Sequence, residues 1–222
     1  MTEKLFCFGL GFSARLVANH LREEGWKIAG TTRSAEKADA LRVQGIEPHI
    51  FSDDVPVADI RDALKGVTHV LISVPPGGNG DPVLAHHAGD LAALPGGTWI
   101  GYLSTTGVYG DRDGAIVTEE DDLIPSGKRG RRRVAAEKGW FDLGQRHGLC
   151  VQSFRLAGIY GPGRNALETV RSGRARRVVK PGQVFSRIHV EDIAQTVLAS
   201  IRCPNAGAAY NVCDDDAAPP QD

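Results

Sequence analysis

Near the N-terminus, Phe8-Gly9-Leu10-Gly11-Phe12-Ser13-Ala14 fits the spacing G-x-G-x-x-A between an apolar run and an amphipathic one. At this spacing the first glycine permits a tight strand-to-helix turn and the second lets backbone approach a diphosphate. The small Ala14 lets helix pack on strand, while the first helical N–H groups, from Phe12 and Ser13, face the anion. A glycine turn without any ligand has the same letters, but the apolar strand before it and the helix after it favour a dinucleotide site. A second apolar run ends in Thr31-Thr32-Arg33-Ser34. Where NAD-selective sites place a carboxylate for the ribose 2'-hydroxyl, Thr32, Arg33 and Ser34 offer hydroxyls and a guanidinium, which suit a 2'-phosphate. The expected cofactor is therefore NADP ahead of NAD, with a solvated Arg33 as the alternative.

These residues need a scaffold. Apolar runs at 4–8, 26–31, 47–51, 68–74, 98–104 and 150–156 read as strands, several apolar on both faces. Helix patterns at 13–24, 35–44, 57–65, 83–94 and 131–146 lie between them, the first placing Leu16, Val17, His20 and Leu21 on one face. Strand and helix in alternation predict an α/β, Rossmann-type, doubly wound parallel sheet with right-handed crossovers. Past residue 156 the regularity weakens into a Gly/Pro loop at 158–165, a short helix at 166–172, a clear helix at 189–202, a last strand at 209–213 and a polar end at 214–222 that reads as frayed. The expected division is a nucleotide-binding core at 1–156 and a small, truncated C-terminal substrate lobe at 157–222, interleaved with the last core strand and helix. Ligands sit beyond the carboxyl ends of such strands, so Val74 and Pro75, after the fourth strand, should border the cofactor.

The chain has 222 residues, 41% apolar and 24% charged, which excludes disorder, collagen and coiled coil. With 26 basic and 27 acidic side chains it has no global field to draw it to nucleic acid or membrane. There is no signal-like N-terminus and no apolar run near the roughly 18 residues of a membrane span, so a cytoplasmic location is expected. Cys7, Cys150, Cys203 and Cys213 lack CxxC spacing and suggest neither disulfides nor zinc. His86 and His87 are adjacent, diverge on a helix and cannot clamp one metal.

Three further segments follow in order: Thr105-Thr106-Gly107-Val108-Tyr109-Gly110-Asp111, Arg155-Leu156-Ala157-Gly158-Ile159-Tyr160-Gly161-Pro162-Gly163-Arg164 and Ile188-His189-Val190-Glu191-Asp192-Ile193-Ala194. With the first turn, they make the chain resemble, from Leu5 to Val212, the extended short-chain dehydrogenase/reductase superfamily, the NAD-dependent epimerase/dehydratase group, and especially its atypical members. The resemblance implies that Thr105 occupies the position of the catalytic Ser or Thr, with its hydroxyl on the substrate oxygen; a strand-end cap is the alternative. It also implies that the backbone of Ala157 and Gly158 lies near the nicotinamide, and that the segment from His189 to Asp192 is a mainly structural helix start.

One departure bears on activity. The family carries Tyr-x-x-x-Lys at the start of the next helix, where this chain has Arg129 in the Tyr position and Arg133 in the Lys position. Arginine stays protonated and cannot cycle a proton, and loss of a positioned acid/base typically forfeits about 10² to 10⁴ in rate. Tyr109 or Tyr102 is left as a substitute donor, although Tyr109 sits in a motif that is largely structural in the family. Arg133 is placed to contact the nicotinamide ribose or to lie on the helix surface. Two basic clusters, Lys128, Arg129, Arg131, Arg132 and Arg133, then Arg171, Arg174, Arg176, Arg177 and Lys180, suit phosphates of a nucleotide-linked small-molecule substrate, or neutralisation by the acidic stretch at 119–122. No nucleic-acid or membrane partner is expected, and a homodimer is an allowed assembly. Two functions stay open: an NAD(P)-dependent oxidoreductase or epimerase/dehydratase acting on a sugar-like or carbonyl substrate, or a non-catalytic NADP(H)-binding regulator.

Overall fold

A computed structural model describes residues 2–176, 179 and 182–219. Strand β1 (Lys4–Phe8) is central because its side chains are buried on both faces, as a strand between two helix layers requires. It pairs in parallel with β2 (Lys27–Thr32) on one side and β4 (His69–Ile72) on the other, Leu5 lying opposite Ile28 and His69. With β3 (Glu47–Ile50), β5 (Trp99–Thr105), β6 (Cys150–Leu156) and β9 (Ala209–Val212), these form one sheet in the order β3-β2-β1-β4-β5-β6-β9. Every pairing in it is parallel.

Alternate side chains of the strands enter two cores. One packs Leu5, Cys7 and Leu71 with Ala14, Val17 and Leu21 of α1 (Phe12–Glu23) and Ile193 and Val197 of α7 (Val190–Arg202). The other packs Phe6, Phe8, Val70, Ile72 and Tyr102 with Val83 and Leu91 of α4 (Pro82–Ala92) and Ala136 and Trp140 of α5 (Lys128–His147). Helix α2 (Ala35–Val43) leads into β3. The chain winds outward from β1 to β3 and then returns to β4, so strand order reverses between β1 and β4; a crevice at that point is where such sheets take ligands.

Three expectations change. The helix expected at 57–65 is a single turn, α3 (Ile60–Ala63), because Asp59 at its N-cap takes a left-handed φ of 51°. The loop expected at 158–165 opens with β7 (Gly158–Tyr160), which pairs in parallel with β8 (Arg187–His189) in a two-stranded sheet. The polar end is tied back rather than frayed: Asp214 donates its N–H to the Arg187 carbonyl at 2.7 Å, and Phe185 and Ala218 exchange backbone bonds of 2.8 and 3.0 Å. The short helix at 166–172 forms as α6 (Ala166–Arg171), with no buried residue. Residues 220–222, and Arg177 and Lys180 of the second basic cluster, lie outside the described residues. Among those described, no helix is long and apolar enough to cross a membrane.

His87 ties α4 to the segment before α3. It is 2% exposed, and its Nε2 accepts the Val57 N–H at 3.0 Å while Nδ1 faces Asp90 at 3.3 Å, with the rings of Phe8 and Phe51 5.7 Å away. Acceptance at Nε2 assigns the neutral Nδ1–H form. Burial lowers the imidazole pKa, against the opposing pull of Asp90. The unfolded chain therefore takes up this proton more readily than the folded one. The stabilising contribution of neutral His87 is complete above the ordinary value of about 6.5 and is lost as pH falls below it. Unfolding free energy from urea titrations should drop between pH 6.5 and 5, and His87→Gln should flatten that part of the profile; an unchanged slope would contradict the assignment.

Candidate functional site

Gly9 follows β1 with φ of +87°, and its N–H donates to Thr31 Oγ1 at 2.8 Å, while Leu10 N–H donates to the Thr31 carbonyl at 3.2 Å. These bonds pin the first turn to β2. A Cβ on Gly9 would come within 3.0 Å of Val74 Cγ2, so the fold itself requires glycine there.

Gly11 differs. It is the N-cap of α1 with φ of −84° and ψ of −163°, ordinary extended backbone, and a Cβ there would meet only Ser73 Oγ, at 4.0 Å. Glycine is itself a favoured N-cap, within about a few tenths of a kcal/mol of Ser, Thr, Asp or Asn, and there is no side-chain cap and no acid in the first turn. The space over Gly11 is left bare, at the amino end of a twelve-residue helix whose first N–H groups lack intrahelical acceptors. Ser13 is buried beneath it and Phe12, 37% exposed, stands at its rim. Ser73, directly after β4, borders the same space; sequence reasoning passed over it, because a lone serine after a strand carries no spacing signal.

The other expected cofactor residues lie along the same carboxyl edge of the sheet. Arg33 is exposed after β2 and Thr32 is half-buried. Ser34 is the N-cap of α2, its Oγ accepting Lys37 N–H at 3.4 Å. Val74 is half-buried against Gly9 and Pro75 is exposed. Ala157 is buried, its N–H bonded to the Val212 carbonyl at 3.1 Å, and the exposed Gly158 donates to the Ser186 carbonyl at 3.1 Å. A separate, mainly apolar cleft of about 500 Å³, lined by Gly97, Phe141, Gly144, Gly148 and Gly207, lies by the amino ends of β5 and β6 and holds none of the candidate residues.

The residues expected to act on substrate are not gathered in the same way. Thr105 ends β5, half-buried, and its Oγ1 accepts Gly107 N–H at 3.2 Å, capping a short 3-10 turn (Thr106–Val108). Tyr109 is 2% exposed; its hydroxyl donates to Asn211 Oδ1 at 2.7 Å and accepts from Arg155 Nη1 at 2.6 Å. The structure thus places Tyr109 in the interior, with its hydroxyl already engaged. Tyr102 is fully buried, and burial pushes its phenol far above the ordinary range, against the pull of Arg133. Arg129 is exposed on the first turn of α5.

Arg133, one turn further, is not on the helix surface. It is 8% exposed, donates to the Leu103 carbonyl, and holds its guanidinium 5.6 Å from the centroid of the Tyr102 ring. Beside it Asp81 caps α4, accepting from Val83 N–H at 2.9 Å, Leu84 N–H at 3.1 Å and Trp140 Nε1 at 3.1 Å. Burial raises the Asp81 carboxyl, opposed by these bonds and by Arg133. One turn on, Glu137 Oε2 accepts from Arg155 Nε and Nη2 at 3.2 and 3.1 Å, both residues buried. This polar layer between α5 and the β5–β6 strands was invisible to a search for apolar stripes.

Of the acidic stretch, Glu119 accepts from Asn211 N–H at 2.6 Å and Asp121 from Thr118 N–H at 2.6 Å, so these two carboxylates serve their own surroundings. Lys128, Arg129, Arg131 and Arg132 are exposed, and Arg132 Nη2 lies 3.9 Å from where a Cβ of Gly78 would be, in the loop after β4.

No family model matches the chain. It is similar to a conserved protein of unknown function from Silicibacter pomeroyi DSS, 48% identical with a TM-score of 0.88, covering 99% of this chain and 75% of that one. Protein YeeZ of Escherichia coli (strain K12) is 28% identical over 234 residues, 95% of this chain and 77% of YeeZ. UDP-glucuronic acid 4-epimerase from Bacillus cereus, solved with UDP-glucuronic acid and NAD, superposes with a TM-score of 0.77 at 15% identity, covering 97% of this chain and 79% of that one. The chain therefore belongs to the family of the Silicibacter pomeroyi conserved protein, and its fold is that of the short-chain dehydrogenase/reductases of the NAD-dependent epimerase/dehydratase group.

Proposed function

We propose that the protein binds a nicotinamide dinucleotide, NADP(H) ahead of NAD(H), across the turn between β1 and α1, and uses it on a sugar-like or carbonyl substrate carried by a nucleotide. The observation that supports this most is the bare Gly11: neither backbone conformation nor neighbours require glycine there, and its missing side chain leaves the N–H groups of a helix amino end open. The residues fit the group. The N–H groups of Phe12 and Ser13 would hold the diphosphate, Arg33 with Thr32 the 2'-phosphate, and Val74, Ala157 and Gly158 the nicotinamide side. The dinucleotide, when bound, supplies or accepts a hydride. Thr105 would orient the substrate oxygen, exchanging its bond to Gly107 for one to substrate, and the exposed Lys128, Arg129 and Arg132 would meet substrate phosphates. The nucleotide sugar bound by the Bacillus cereus epimerase is of this class.

A second reading, a dinucleotide-binding protein without turnover, is favoured by one specific observation. Tyr102 and Tyr109 are buried and hydrogen-bonded, and Arg129 carries a permanent charge, so none of these three side chains can pass a proton to substrate as placed. Calorimetric titration with NADPH and NADH, followed by NADPH oxidation assays over nucleotide sugars, aldehydes and quinones, separates the readings: binding with turnover supports the first, and binding without turnover the second. Arg33→Ala should weaken NADPH by about tenfold to a hundredfold and leave NADH nearly unchanged, the loss of one charge-assisted bond. Equal loss for both coenzymes would contradict the role of Arg33.

A further inference from the structure

Between β7 and α6 the chain makes a tight hairpin, Gly161-Pro162-Gly163-Arg164, in which Gly161 and Arg164 exchange backbone bonds of 2.9 and 3.0 Å. Asn165 locks it, with Nδ2 donating to the Gly161 carbonyl at 3.1 Å and Oδ1 accepting Glu168 N–H at 3.0 Å. The hairpin is pressed onto the first turn: a Cβ on Gly161 would sit 3.3 Å from Phe12 Cζ and 2.6 Å from Val190 Cγ1, so only glycine allows this approach. Its last residue carries a guanidinium whose carbon lies 5.6 Å from the centroid of the Phe12 ring. Phe12 is the first residue of α1 and the neighbour of the bare Gly11. Arg164 is itself exposed and has no carboxylate partner among the described residues, a state it shares with Arg33, Arg129, Arg131 and Arg132; what sets it apart is its seat on the Phe12 ring. A cation without a carboxylate is thus propped on an aromatic face at the rim of the anion cradle, at the end where the helix dipole already favours negative charge.

We propose that Arg164 is a specificity-determining residue for the diphosphate of the dinucleotide, swinging from the Phe12 ring to close over it, so that the strap of the C-terminal lobe seals the coenzyme against the first turn. The inference rests on the dinucleotide reading above and adds a second cationic contact to it. Arginine suits the task because its planar fork can take two phosphate oxygens while part of its face stays on the ring. The strap carries no part of the 2'-phosphate contact, which belongs to Arg33.

The test compares NADPH with adenosine 2'-monophosphate, which has the 2'-phosphate and lacks the diphosphate, on the wild-type chain and on Arg164→Ala, Arg164→Gln and Arg164→Lys. Thermal melts first confirm that each variant is folded; the glutamine variant keeps the length of the side chain if the alanine variant does not fold. The expected result is a loss of about tenfold to a hundredfold in NADPH affinity for the alanine and glutamine variants, partial recovery for lysine, and unchanged adenosine 2'-monophosphate affinity. Phe12→Leu, which removes the aromatic platform and keeps the guanidinium, should cost less than Arg164→Ala. NADPH affinity equal to wild type in the folded variants, or a loss shared equally by adenosine 2'-monophosphate, would overturn the role of Arg164 and leave the dinucleotide reading standing. Failure of the wild-type chain to bind NADPH at all would overturn both.

Discussion

Arg155→Met is expected to lower the free energy of unfolding by about 3–5 kcal/mol. Arg155 is 5% exposed and its guanidinium holds Glu137 twice, the Tyr109 hydroxyl at 2.6 Å and the Glu119 carbonyl at 3.2 Å. Burial works against its charge, and Glu137 and Tyr109 outweigh that, holding its pKa above the ordinary arginine value. Glu137 is the vulnerable partner, 2% exposed and with no other hydrogen-bond donor, since its Oε1 has no partner among the described residues. Methionine fills most of the volume of the arginine stem, so the cost arises from a buried carboxylate left without a counter-charge, and from the unpaired Tyr109 and Glu119 groups. Native domains are stable by about 5–15 kcal/mol, so this change alone would consume a large part of the total. The double variant Arg155→Met with Glu137→Met should recover much of the loss, because it removes the stranded charge. Urea denaturation of the three variants measures this; a single-variant loss under about 1 kcal/mol would show that the pair is hydrated and exposed in solution.

The opposite pattern is expected at Gly11. Gly11→Asp should leave the fold as stable as wild type or up to about 1 kcal/mol more stable, and should weaken NADPH binding by about a hundredfold or more. The backbone at Gly11 already has the extended geometry of an N-cap, and the added side chain meets nothing closer than Ser73 Oγ at 4.0 Å. An aspartate there would accept from the free helical N–H groups and place its charge in the cradle, so it stands in for the diphosphate and repels it. A structural reason for this glycine would appear as lost stability, whereas a ligand reason appears as stability kept and binding lost. Parallel melts and calorimetric titrations distinguish them. NADPH affinity within about threefold of wild type in a folded Gly11→Asp variant would remove the diphosphate from this turn.

The sheet was legible because its strands are buried on both faces: runs such as Leu5 to Phe8 and Val70 to Ile72 are continuous in apolar residues, and the helices between the strands are amphipathic. The first turn was legible from its context, because Gly9 and Gly11 close an apolar strand and open an amphipathic helix. What escaped was decided by helix rotation and by very short pairings. The buried stripe of α5 runs through Gly130, Arg133, Ala136, Glu137, Trp140 and Leu143, at helical spacing but with two charges in it, so hydrophobic period offers no interior place for Arg133, expected at the nicotinamide ribose or on the helix surface. β7 and β8 are three residues each, too short for a pattern to show; tertiary contacts support their pairing, with Ile159 and Ile188 on the core and the hairpin on Phe12. Ser34 and Thr105 illustrate a third cause. Their hydroxyls have the chemistry of a site but also satisfy the backbone of the element that follows, and local capping is the use the structure shows.

The most direct test of the account is a crystal structure of the protein grown or soaked with NADPH. Density is expected for a dinucleotide crossing the switch point between β1 and β4, with its diphosphate against the N–H groups of Phe12 and Ser13 over Gly11, and its 2'-phosphate within hydrogen-bond reach of Arg33. Density for NADPH at another surface, or an unaltered Gly11 crevice at millimolar coenzyme, would contradict it.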